Sequence, residues 1–138
     1  MTDELPKKHL FTTMNYLLDL NHLRALEEIS PGGETYKFMS ELCILFLKDA
    51  PSAIQDLSKA LVKGDIKAIT QQSYRLKSMS SSLGATYMSD LCLQIERAMS
   101  EIDKDMALAR TLGEQLKDAF LVTRDQVQAY VAQLPKPK

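Results

Sequence analysis

Apolar residues return every three or four positions along most of this chain, and most of the residues that break helices fall between those runs rather than inside them. A period near 3.6 is the mark of amphipathic helices packed by one face. Only five glycines and five prolines punctuate the 138 residues, and no stretch alternates apolar with polar as a half-buried strand would. The chain is thereby confined to an all-α fold.

The punctuation divides it into segments. A lead-in over residues 1–18 is expected to carry a helix through His9–Leu18. Asp19 or Asn21 can cap a short helix over Asn21–Ile29, with Leu23, Leu26 and Ile29 inward, and Ser30-Pro31-Gly32-Gly33 ends it. Over Glu34–Lys63, Phe38, Leu42, Leu45 and Phe46 recur at helical steps, followed by Ile54, Leu57, Leu61 and Val62. Pro51 either opens a new helix there, with Asp49 as cap, or bends one long helix. Gly64-Asp65 supplies a stop and the next cap. Ile66, Ile69, Leu76, Met79 and Leu83 form the buried stripe of a helix that Gly84 terminates. Met88, Leu91, Cys92, Ile95 and Met99 line the next, over about Thr86–Ser100.

Glu101, Asp103 and Asp105 mark a junction. A last helix, roughly Lys104–Leu134, is expected to bury Leu108, Leu112, Leu116, Phe120, Val127 and Val131, ahead of a tail over 135–138. Four amphipathic helices with short links predict an antiparallel up-and-down four-helix bundle, with additional short N-terminal helices, over residues 19–134.

Composition excludes several classes of function. A net charge of −1 draws the molecule to neither nucleic acid nor anionic lipid. No apolar run approaches the ~20 residues of a membrane span, and the first residues lack the order of a secretory signal, so the cytoplasm is the expected location. Cys43 and Cys92 stand apart on apolar helical patterns, far in sequence from His9 and His22, and read as reduced core thiols rather than metal ligands. No cofactor motif is visible. Ser80, Ser81 and Ser82 lack the positioned base and oxyanion site of a serine nucleophile; small polar residues at a tight helix contact explain them better.

On a helical wheel, Thr70, Tyr74, Lys77, Ser78 and Ser81 form one surface stripe beside the buried one. Taken alone, such a stripe is a solvated helix face. Its sequence context, Ser73-Tyr-Arg-Leu-Lys-Ser-Met-Ser-Ser-Ser-Leu-Gly-Ala85, resembles the signature of histidine-containing phosphotransfer (HPt) domains, roughly Ala-His-x-Leu-Lys-Gly-x-x-x-x-Leu-Gly-Ala. Leu76, Lys77, Leu83, Gly84 and Ala85 match at the right spacing. Tyr74 stands where that family carries its phosphorylated histidine.

The resemblance extends from about Asp19 to the C-terminus. It favours the long bent helix at Pro51 and implies a phosphorelay module of two-component signalling, with a response-regulator receiver domain or a hybrid sensor histidine kinase as partner. The stripe is then a receiver-docking surface made of Thr70, Tyr74, Arg75, Lys77, Ser78 and Ser81, with Glu96 on the next helix. Lys77 corresponds to the lysine that helps neutralise phosphoryl charge. Ser78 replaces a glycine, small for small. Glu96 matches a polar position beside the histidine and can either accept a bond from the Tyr74 hydroxyl or pair with a lysine.

The missing imidazole limits the chemistry. A histidine ring offers an unprotonated nitrogen near neutral pH, whereas a phenol ordinarily titrates near pH 10 and needs a base to become a nucleophile. A phosphotyrosine ester is also too stable to return its phosphate readily to an aspartate. The implied protein is a pseudo-HPt that binds without relaying phosphate. The alternatives are an active phosphotransfer protein, with an introduced substitution or an unusual acceptor, and a helical adaptor with an unrelated partner. An independent enzyme is not indicated.

Overall fold

A computed structural model describes residues 17–30, 32–100, 102 and 104–136. They form five helices: α1 Leu20–Ile29, α2 Thr35–Lys63, α3 Ile66–Leu83, α4 Thr86–Ala98 and α5 Met106–Gln133. α2, α3, α4 and α5 pack in a ring, each against the next, and α5 closes it against α2. The links between α2 and α3 and between α3 and α4 are two residues long, so successive helices run antiparallel. α1 lies outside the ring and packs on α2.

Local chemistry sets the helix ends. Asp19, Asp65 and Asp105 cap α1, α3 and α5, each accepting backbone N–H groups of the first turn. Gly64 and Gly84 end α2 and α3 at φ +71° and +81°, the left-handed backbone that favours glycine. α2 runs unbroken through Pro51, although proline cannot donate to the carbonyl of Leu47 one turn back.

The core follows the expected stripes in most places. Leu23, Phe46, Leu57, Leu61, Ile69, Leu76, Leu83 and the whole α4 set are buried, as are Leu112, Leu116, Phe120 and Val127. Phe46 and Phe120 meet where α5 packs on α2, with centroids 6.1 Å apart. Small residues allow close approach: a Cβ added at Gly113 of α5 would lie 2.5 Å from Leu61 Cδ1 on α2. Ser73, Ser80 and Thr123 are fully buried, and their hydroxyls have no hydrogen-bond partner.

Several expectations are corrected. Ile29, Leu45, Val62, Ile66 and Leu108 are exposed. Ile29 and Val62 fall in last turns, Ile66 and Leu108 in first turns, and Leu45 flanks the buried stripe that Phe46 occupies; a bundle helix buries only one stripe along its central turns. Of the serine triplet only Ser80 is buried; Ser81 and Ser82 face solvent. The expected helix over His9–Leu18 lies outside the described residues as far as residue 16. Leu17 and Leu18 are not helical, and Leu18 forms an isolated antiparallel bridge with Ala85. Pro31, Glu101, Asp103 and the end of the tail also lie outside the described residues.

Both cysteines are buried and free. Burial pushes the Cys43 thiol up to about 11. Cys92 rises to about 12, chiefly through burial and then through the Glu96 carboxylate, against a smaller lowering by Lys77. The native state therefore keeps protons that the unfolded chain releases from about pH 9.0 upward. Stability is full below that pH and declines as pH rises toward 11–12. The urea midpoint is expected to fall across this window. At pH 8 a thiol reagent should modify neither cysteine in native protein and both after unfolding; fast labelling of folded protein would contradict the burial.

Candidate functional site

Tyr74 sits near the middle of α3 on its outer side and is 60% exposed. Ser73 and Leu76 on the inner side of the same turn are fully buried, which fixes the direction in which Tyr74 points. Lys77, three residues on, lies over the phenol with Nζ 5.0 Å from the ring centroid, within reach of a cation–π attraction.

The open question about Glu96 is answered by this geometry. Lys77 Nζ donates to Glu96 Oε1 at 2.6 Å across the α3–α4 interface, and the two side chains retain only 26% and 16% of their exposure. Lys77 is thus half-buried and paired rather than a free surface cation. Cys92 lies one turn before Glu96 on α4 and feels both charges.

The other expected site residues spread to either side of this centre. Arg75 turns toward α2, reaching Asp56 Oδ2 at 3.7 Å and accompanied by Gln72 of its own helix. Ser78 is exposed at the edge of an apolar groove of about 270 Å³ that Leu42, Leu45 and Phe46 of α2 line opposite Met79. Ser81 turns toward α4, where its hydroxyl meets that of Ser89 at 2.6 Å. Thr70 is exposed one turn before Tyr74, its hydroxyl bonded to the Ile66 carbonyl.

Sequence reasoning did not single out Asp56, Ser89 or the structural part played by His22. Asp56 and Ser89 carry no local signal, since only helix pairing brings them to the face. His22 lies at the end of α3: its Nε2 is 2.9 Å from the Ser82 carbonyl, and its ring packs on the Gly84 backbone, where an added Cβ would lie 3.0 Å from Cδ2. Beside it, Asp19 N–H donates to the Gly84 carbonyl at 2.7 Å. The glycine in the signature was the available clue that something approaches there closely.

The face is open. A shallow depression of about 280 Å³ beside Lys77 and Ser81, bordered by His22 and Asp90, is the hollow next to it. Among the described residues no three His, Cys, Asp or Glu side chains gather as a metal site would require, and no helix is long and apolar enough to cross a membrane.

The sequence model of the Hpt domain matches residues 41–134, and the chain belongs to that family, the phosphorelay modules of two-component signalling, which interact with receiver domains and kinases. The crystal structure of histidine-containing phosphotransfer protein B (HptB) from Pseudomonas aeruginosa PAO1 shares the fold. Its TM-score is 0.72 at 24% identity, covering 87% of this chain and 98% of that one. No curated protein sequence matches the chain.

Gly84→Ala is expected to cost about 2–4 kcal/mol, combining left-handed strain with the clash against His22. In the His22→Ala background the cost should shrink, because the ring no longer blocks the methyl group. A double-mutant cycle by urea denaturation measures the coupling; strictly additive losses would mean that His22 does not crowd Gly84.

Proposed function

We propose that this protein is a pseudo-HPt: it docks a receiver domain, or the sensor kinase that carries one, through the Tyr74 face and does not relay phosphate. One observation carries the reading. The exposed side chain at the centre of the face, with Lys77 and Glu96 converging beside it, is a phenol and not an imidazole.

The surroundings of Tyr74 support it. A nucleophilic phenol needs a base, and Glu96, the carboxylate expected beside it, is taken up by Lys77. Of the two histidines, His22 borders the hollow beside Lys77 and Ser81, but its Nε2 is engaged with the Ser82 carbonyl and its ring is packed on Gly84; His9 lies outside the described residues. Docking draws further support from Ser78, which is exposed and small beside the α2–α3 groove, so a partner backbone can approach.

Phospho-receivers bearing radiolabelled phosphate should leave the natural chain unlabelled. Tyr74→His restores a ring nitrogen at an exposed position and should gain slow labelling without loss of helicity. Stable stoichiometric label on the natural chain would overturn the reading, while an inert Tyr74→His would mean that more than the acceptor atom is lost.

Ser78→Trp should weaken receiver binding about tenfold or more, equal to ~1.4 kcal/mol, because it adds bulk at the point of approach. Lys77→Glu should also weaken binding, but it sets a second carboxylate against Glu96 and is expected to lower the melting temperature as well. Ser78→Trp is therefore the cleaner test of docking, and unchanged affinity in that variant would count against it.

A further inference from the structure

Both cations that flank Tyr74 already have a carboxylate. Lys77 is held by Glu96 at 2.6 Å and Arg75 by Asp56 at 3.7 Å. The pairs differ in kind. Lys77 and Glu96 are largely withdrawn from water, so salt screens them weakly, whereas Arg75 and Asp56 keep 43% and 46% of their exposure and are readily screened. The phenol ring covers Lys77 from a third direction.

A phosphoryl group on a partner's aspartate would arrive at a face whose two positive charges are matched by two negative ones. To engage Lys77 it must displace Glu96 or share the ammonium with it, and either way a half-buried carboxylate ends beside a dianion. The weakened pair and the repulsion between like charges offset what the new contact with Lys77 gains, so phosphorylation brings no net advantage. An unphosphorylated receiver asks for no such exchange.

Resting on the docking reading above, we propose that the Tyr74 face is indifferent to the phosphorylation state of the receiver it holds, and that Glu96 imposes this indifference by neutralising Lys77. A module of this kind draws on the whole pool of its receiver rather than on the activated fraction.

The experiment uses the full chain and purified receiver domains from the source organism, each titrated with its aspartate free and after loading with beryllofluoride, which mimics aspartyl phosphate. For the natural chain the two affinities should agree within about twofold. Glu96→Gln keeps the shape and a hydrogen-bond acceptor but leaves Lys77 uncompensated; it should tilt the ratio toward the loaded receiver by about tenfold, an effect that shrinks in high salt. Asp56→Asn should act in the same direction by about two- to threefold, and it carries the test if melting shows Glu96→Gln to be unfolded.

A natural chain that prefers the loaded receiver about tenfold overturns the indifference and leaves docking intact. Equal affinities that stay equal in both variants overturn the part given to the carboxylates. Failure to bind any receiver in either form defeats the docking reading itself, and this proposal with it.

Discussion

Two helices can pair back to back through a two-residue link only where the backbone turns sharply, and in this protein Gly84, at φ +81°, makes the turn. It ends α3, and Ala85, fully buried, leads into α4. The outer face of α3 takes its neighbours from that reversal. The register it sets brings Glu96 opposite Lys77 and Ser89 opposite Ser81. The same turn receives the N-terminal segment, through Leu18 on Ala85, Asp19 on the Gly84 carbonyl and His22 on the Gly84 backbone. One glycine thus joins the signature helix to the helix that answers it and to a segment some sixty residues earlier.

Charge on the face follows from this packing. A lysine beside an exposed tyrosine on an isolated helix is a solvated cation, free to meet any anion. Packed against α4, its stem and head are half covered and its charge is bound to Glu96. The reach of this pair into the interior is visible at Cys92, whose thiol is pushed up by burial and by Glu96 while Lys77 opposes. Surface electrostatics and core packing meet at this point, so a substitution at either Lys77 or Glu96 acts on stability as well as on contact.

The four-helix ring, the cap at Asp65 and the stops at Gly64 and Gly84 were legible in the sequence because they depend on neighbours a few positions away. Asp19 was one of two candidate caps, and Asp105 read only as part of an acidic junction until the last helix was seen to begin at Met106. The exposure of Tyr74 was legible for the same reason, through the stripe that Ile69, Leu76 and Leu83 bury. What depended on distant residues was not. Helical period gave Leu45, Val62, Ile66 and Leu108 the same weight as Leu57 or Leu116, and only the length and placement of the facing helices separate them. The choice left open at Glu96 belonged to the register between α3 and α4. Asp56 and His22 reach the face or the turn from other helices, and no spacing within the signature points to them.

The contacts that fasten the end of α3 use main-chain groups: the carbonyls of Ser82 and Gly84 and the bridge at Ala85. They do not involve the side chains at Thr70, Tyr74 or Ser78, which are exposed. Substitutions at Thr70, Tyr74 or Ser78 therefore leave these main-chain contacts untouched, unlike substitutions at Lys77 or Glu96, whose pair ties α3 to α4. The side chain at the centre of the face can thus be exchanged without the scaffold registering the change.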